Sequence, residues 1–170
     1  MTLAQSIMRT GLALSLVLTA LLFMSLWHEP RIWLHDMPQS YQDRVPPKTE
    51  REIRLTWAYG VFFIPLFFGV PTLSTARLLR HNPSLGFWSG FANAAGIVVI
   101  FGLVDLVLID WLVICWLTPS FVVIPGTEGA SEYKDYLFHA AGFAIGLPMM
   151  AATGLVAASL AIWMRGRRHG

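Results

Sequence analysis

The sequence contains a single cysteine, Cys115, and only 13% of its 170 residues are charged. One cysteine excludes an internal disulfide and any zinc site built on cysteine pairs, and its apolar neighbours read it as a small buried side chain. So little charge, set against 55% hydrophobic residues and a mean hydropathy of +0.58, excludes an ordinary soluble domain. A basic stripe interleaved with aromatics is also missing: the lysines and arginines flank apolar runs. Nucleic acid is therefore excluded as a partner despite a pI near 9.0. No HExxH motif is present, and neither is the paired Glu-x-x-His pattern of di-iron bundles.

What the sequence does have is four long apolar runs, at 7–27, 55–76, 87–111 and 137–163. Each meets the roughly 20 residues a helix needs to cross the hydrocarbon. The expected fold is an all-α integral membrane protein, with residues 1–170 forming one four-helix transmembrane bundle. The first run follows Arg9 in the manner of a signal peptide, but it exceeds the usual h-region of about 7–15 residues and no Ala-x-Ala-like site precedes His28. It is read as a retained span. Thr49-Glu50-Arg51-Glu52 carries a capping box for the second helix, and Asn82-Pro83 offers an N-cap and first-turn proline for the third.

The basic residues set the expected orientation. Arg9, the pair Arg77 and Arg80, and the group Arg165, Arg167 and Arg168 fall in three segments free of acids. That side is expected to be cytoplasmic, giving an N-in/C-in chain with two outward loops. The first loop opposes this with Arg31, Arg44, Lys48, Arg51 and Arg54, which are accompanied by Glu29, Asp36, Asp43, Glu50 and Glu52. In the third connection Lys134 stands against Glu128, Glu132 and Asp135. Trp27, Trp33, Trp57, Trp111 and Trp116 then mark one interface, and Trp88 and Trp163 the other. The bacterial plasma (inner) membrane is the expected location.

Small residues carry unusual weight where helices associate in lipid. Gly86, Gly90 and Ala94 form a ladder expected to meet Gly11, Ser15 and Thr19 of the first span. Gly142 and Gly146 form a GxxxG motif that suits ordinary bundle packing, a neighbour or a second copy of the chain. Pro65, Pro71 and Pro148 interrupt their spans and are expected to bend them.

The chemistry-bearing residues gather toward one end. At 1.5 Å per residue, Asp105 lies about 33 Å along its helix from Pro83, His139 about 39 Å from Arg165 and His28 about 28 Å from Arg9. With Asp110, Glu132 and Asp135 they form an expected cluster on the outer rim. His28, His139 and Asp105 are its candidate ligands for a divalent metal, or for a heme held between the two histidines. On an α-helix Asp110 points about 140° away from Asp105. Asp135 and His139 are i,i+4 neighbours, so the carboxylate can orient the ring. His35-Asp36 could fold over the same rim. For each residue a structural role competes: Asp110, Glu132 and Asp135 as solvated helix ends, His28 as an interfacial hydrogen-bonding residue, Asn93 as an interhelical hydrogen bond. Asp105 is the hardest to explain structurally, because a carboxylate among Phe101-Gly102-Leu103-Val104 and Leu106-Val107-Leu108-Ile109 needs a partner or water. Histidine 139, histidine 28 or a first-loop arginine are the expected partners.

The two outward loops are expected to form a small cap. Ile32, Trp33, Leu34 and Met37 are apolar enough to lie on the interface, and 120–125 reads as a short extended run. Three four-span families are not matched: thiol-oxidising quinone reductases need cysteine pairs, small multidrug exporters a glutamate within the first span, and bis-histidine cytochromes b histidines at heme-bracketing depths. Three functions stay open. The first in order is an accessory or assembly subunit of a membrane complex, contacting lipid and a protein partner or a second copy. The second is a membrane enzyme or metal-binding protein using the rim cluster. The third is a small oligomeric transporter with Asp105 on a polar path.

Overall fold

Three of the four long helices begin on a side-chain cap, from Thr2, Thr49 and Asp135. In the computed structural model, which describes residues 1–167, α1 (Leu3–His28) opens on a capping box in which Thr2 Oγ1 accepts from Gln5 N at 3.2 Å and Gln5 Oε1 accepts from Thr2 N at 3.0 Å. A 3₁₀ segment (Pro30–Asp36) and one helical turn, α2 (Gln39–Gln42), lead to α3 (Glu50–His81), which opens on the expected Thr49/Glu52 box. The helix α4 (Phe87–Val104) continues without a break as a π-helix (Asp105–Leu117). Two short 3₁₀ segments, Ser120–Val122 and Ser131–Lys134, precede α5 (Tyr136–Gly166). Four helices, Leu3–His28, Glu50–His81, Phe87–Leu117 and Tyr136–Gly166, are long and apolar enough to cross a membrane. Arg168, used in reading the basic-residue pattern, lies outside the described residues.

The start of the third long helix differs from the sequence expectation. Asn82 caps the C-terminus of α3, its side-chain amide donating to Leu78 O at 3.0 Å, and α4 starts only at Phe87. With Asn82 committed to α3, Pro83 and Ser84 make the reversal, closed by Leu85 N to Asn82 O at 3.0 Å. Arg165 Nη1 donates to Leu85 O at 3.0 Å, so the end of α5 is fastened to this turn. This end of the bundle, which also holds the start of α1, is called the terminal end; the two longer connections form the cap end.

Three layers stack between the ends. Near the terminal end, buried Asn93 of α4 donates to Thr75 Oγ1 at 2.9 Å, and Ser6, Thr10 and Ser74 join their hydroxyls across α1 and α3 at 3.1–3.3 Å. Asn93 is thus the interhelical hydrogen-bonding residue its position implied. The middle layer is apolar, with Leu14, Leu18, Phe67, Ile97, Val98, Phe101 and Met150. It separates the polar terminal layer from the carboxylates of the π-helix.

Gly11, Gly90 and Ala94 are closely packed, but not against one another. A Cβ on Gly90 would meet Leu79 and Thr75 of α3 and Ala158 of α5, so the Gly90–Ala94 face turns away from α1, and Gly86 has open space beside it. Helix α1 does approach α4 at the expected Gly11, where a Cβ would lie 2.9 Å from Ile100 Cδ1, but on α4 the close glycine is Gly96, where a Cβ would lie 3.0 Å from Ile7 Cγ2. The reason is rotational, since Asn93, Ala94 and Ile97 are already turned to the core and Gly96 is the next small residue facing α1. Gly142 has no neighbour within 4 Å, and Gly146 meets only Met150 of its own helix. Helices α4 and α5 meet tightly at Gly154, where a Cβ would lie 2.9 Å from Ala95 Cβ, and at Gly102, where one would lie 2.6 Å from Met150 Cε.

The cap has a core of its own. Leu34, Met37, Tyr41 and Val45 from the first connection pack with Val122, Ile124 and Tyr133 from the third over Leu26, Ile109 and Ile114 of the helices. Ile32, Leu34 and Met37 are therefore buried rather than laid on an interface, and Ser120–Val122 is a 3₁₀ turn rather than extended. Tyr133 Oη accepts from Ile124 N and shares a hydrogen bond with Thr127 Oγ1, both at 2.8 Å, which completes the third connection internally. Arg44 Nη2 meets Glu132 Oε1 at 2.7 Å and joins the two connections.

Candidate functional site

Helix α3 stands away from the bundle over its cap half. Between the buried residues Glu52 and Phe67 no residue of α3 is buried. Two sequence features contribute: Gly60 presents no side chain to the space beside it, and Pro65 lacks the donor that would close the helical ladder there. The gap between α3 and α1 is roofed by the 3₁₀ segment and forms a cavity of about 330 Å³. Its depth is apolar, with Leu21 and Leu22 from α1 and Phe63 from α3; Ile32 and Trp33 form the roof. Polar groups collect at its rim: His35, Asp36 and Lys48 from the connection, Thr56 and Tyr59 from α3. Apolar depth with a few convergent polar groups is the usual form of a small-molecule site.

The roof is held firmly. Arg31 Nε donates to Glu52 Oε1 at 2.7 Å, and its Nη2 donates to Pro46 O at 2.8 Å and Pro47 O at 3.3 Å, so a buried guanidinium locks the connection to the first turn of α3. Trp33 Nε1 donates to Ser25 Oγ at 2.8 Å and fixes the indole above α1. Lys48 Nζ donates to Ile32 O. Burial pushes the Asp36 carboxyl above its usual value, partly offset by Lys48 and His35, and pushes the Lys48 ammonium below its own, partly offset by Asp36 and Glu52.

The residues singled out from the sequence fall into separate places. His28 Nδ1 shares a 3.2 Å hydrogen bond with Tyr59 Oη beside the cavity, so it sits on the α1–α3 side of the bundle. His139 Nδ1 lies 3.1 Å from Asp110 Oδ1, which joins α5 to the π-helix. Glu132 is held by Arg44, and Asp135 Oδ1 accepts from Phe138 N at 2.9 Å as the N-cap of α5 rather than orienting His139. Asp105 Oδ1 is buried and has no hydrogen-bond partner among the described residues. His35 and Asp36, expected over the histidine–carboxylate rim, line the cavity instead. Among the described residues, no three histidine, cysteine or acidic side chains come together as a metal-binding group.

The π-helix changes how the two aspartates relate. Its backbone bonds run from i to i+5, as in Thr118 N to Val113 O at 2.9 Å, so residues five apart stack about one turn apart instead of diverging. Asp105 and Asp110 thereby become electrostatic neighbours. Lys134 Nζ closes the end of this helix by donating to Thr118 Oγ1 at 2.6 Å and Trp116 O at 3.1 Å.

No family model matches the chain, and no curated protein or solved structure is significantly similar to it. Its function is therefore argued from the cavity and the rim pair. Sequence reasoning missed most of the cavity: Leu21, Leu22, Ser25, Thr56, Tyr59, Gly60 and Phe63 are unremarkable residues of a membrane helix when read singly. The available signal was Tyr59-Gly60 followed by Pro65, a bulky polar side chain and a missing one at the same level of an interrupted helix.

Proposed function

We propose that this chain is an N-in/C-in integral membrane protein that binds a small amphiphile at its outward cap end. The membrane reading is supported by the four long apolar helices. The orientation is supported by Arg9, Arg77, Arg80, Arg165 and Arg167 at the terminal end. The observation that carries the binding reading is the cavity between α1 and α3, apolar below and polar at its rim. At the ~30 Å³ a water occupies in the liquid, 330 Å³ has room for roughly ten such units, about one alkyl chain segment. Such a protein needs no chemistry of its own and suits the role of an accessory subunit in a membrane complex.

Trp33 in the roof provides the test. A single-chain amphiphile brominated along its chain should quench Trp33 emission in the purified protein, measured as the difference from a Trp33→Phe variant. Gly60→Leu fills the cavity from a position where an added Cβ meets only Ile64 Cδ1 at 3.9 Å, so it should abolish quenching without unfolding the protein. Equal quenching in Gly60→Leu would place the probe elsewhere and defeat the reading.

A second reading, acid/base chemistry at the cap end, is favoured by the His139–Asp110 pair. A carboxylate on Nδ1 fixes the imidazole and leaves Nε2 to exchange a proton with a substrate. If the protein turns over a substrate, His139→Gln and Asp110→Asn should each remove the activity while Gly60→Leu acts only through binding; unchanged turnover in both would dismiss the pair.

A further inference from the structure

Two opposite charges face the cavity rim without pairing. Asp36 ends the 3₁₀ segment and Lys48 follows the prolines of the same connection; each feels the other's charge. Among the described residues, no Asp36–Lys48 contact falls within the 4.0 Å of an ion pair. Lys48 is committed to the Ile32 carbonyl, which holds its charge in place at the roof. Asp36 is exposed and Lys48 half-buried at the mouth of the cavity, and neither has a direct counter-ion, so both charges are open to a bound head. The neighbouring Arg31 and Glu52 neutralise one another and add no net charge to the rim.

We infer that the cavity takes an amphiphile with a zwitterionic head, its cationic end against Asp36 and its anionic end against Lys48 and His35. This rests on the binding reading above. A singly charged head would satisfy one rim group and leave the other facing a like charge. A dipolar head satisfies both, and Trp33 in the roof with Tyr59 at the rim suits an alkylated ammonium. The same head chemistry occurs on two-chain bilayer phospholipids and on single-chain amphiphiles.

The test uses the full chain in nonionic maltoside micelles and four brominated probes: a single-chain phosphocholine, an alkyl sulfate, an alkyltrimethylammonium and a two-chain phosphatidylcholine. The readout is the mole fraction that half-quenches Trp33. The single-chain phosphocholine should half-quench at about one-tenth the mole fraction of the sulfate or the trimethylammonium, the worth of one charge-assisted contact. Asp36→Asn and Lys48→Gln should each erase that preference, and Asp36→Glu and Lys48→Arg should retain part of it. Equal quenching by all three single-chain heads, unaffected by the two neutral variants, would overturn the head assignment and leave the cavity reading standing. No quenching by any probe would overturn the cavity reading itself. If the two-chain probe matches the single-chain one, the class is supported with bilayer lipid as its source; if it fails while the single-chain probe binds, the class is supported with a free amphiphile as its source.

Discussion

Arg31 and Glu52 meet at 2.7 Å with side chains only 11% and 9% exposed, and this pair joins the cap to the helix beneath it. Glu52 does two jobs at once, because its Oε2 accepts from Thr49 N at 2.7 Å as the capping-box partner while Oε1 holds the guanidinium. Removing either partner leaves a buried charge uncompensated, which typically costs about 3–5 kcal/mol. Arg31→Met and Glu52→Gln should therefore each lower the thermal midpoint and open the segment 30–49 to protease. The double variant should lose less than the two single losses added together, since it leaves no orphaned charge. Additive losses in that cycle would show that the pair is not coupled.

The rim charges predict how amphiphile binding depends on pH. A phosphocholine head keeps both of its charges across the range, so the protein alone titrates. Desolvation raises the Asp36 carboxyl above the ordinary 3.8, so on acidification Asp36 is neutralised sooner than an unperturbed aspartate and releases the ammonium. Burial lowers the Lys48 ammonium below the ordinary 10.5, so on the alkaline side its hold on the phosphate is lost earlier than for a free lysine. Binding should form a plateau bounded by an acid limb above pH 3.8 and an alkaline limb below pH 10.5. Asp36→Asn should remove the acid limb and Lys48→Gln the alkaline one, read by Trp33 quenching. His35 lines the same rim, and His35→Gln serves as a control. An acid limb that persists in both Asp36→Asn and His35→Gln would point to a group outside the rim.

Two glycines of α5 should respond oppositely to a methyl group. At Gly154 an added Cβ lies 2.9 Å from Ala95 Cβ and 3.0 Å from Phe91 Cδ2; Ala95 has no rotamer with which to give way. Gly154→Ala should cost about 1–3 kcal/mol by forcing α4 and α5 apart. Gly142 is exposed with open space around it, so Gly142→Ala should stabilise the helix by about 0.5–1 kcal/mol. Thermal unfolding of the two variants in one detergent checks both signs. If Gly142→Ala instead destabilises the protein and its detergent complex becomes smaller, the GxxxG face packs against a second copy.

The contrast between these glycines also shows what was legible in the sequence. Four helices and the Thr49/Glu52 cap could be read directly, because apolar length and a local S/T-x-x-E pattern depend on neighbouring residues alone. Which glycine meets which helix could not, since Gly90 and Gly96 lie about 120° apart around the helix and its rotation decides which of them faces α1. The same limit hid the cavity, which is a gap between two helices and leaves no residue-type signature. The Asp105–Asp110 relation was misjudged for another reason: an α-helical repeat was assumed where the backbone changes to i to i+5 bonding, and nothing in Asp105-Leu106-Val107-Leu108-Ile109-Asp110 announces the change. A carboxylate partner for His139 was legible, though it is Asp110 rather than Asp135 or Asp105.

Asp105 itself gives the last prediction. Its Oδ1 is buried between apolar residues with no hydrogen-bond partner among the described residues, while Asp110, one π-turn on, is engaged with His139. An unsatisfied buried oxygen of this kind typically costs about 1–3 kcal/mol. Asp105→Leu keeps the branched shape and removes the polar atoms, so it should raise the thermal midpoint, whereas Asp105→Asn leaves a polar carbonyl in place and should change it little. The His139–Asp110 contact should survive both substitutions, and Asp110→Leu should behave oppositely to Asp105→Leu by stranding His139. A lower midpoint for Asp105→Leu would mean that Asp105 is satisfied in the membrane, by water or by a bound molecule. The expected higher midpoint, by contrast, identifies a residue that weakens the fold where leucine strengthens it, on a segment of π-helix, and that cost points to a role in function rather than in folding.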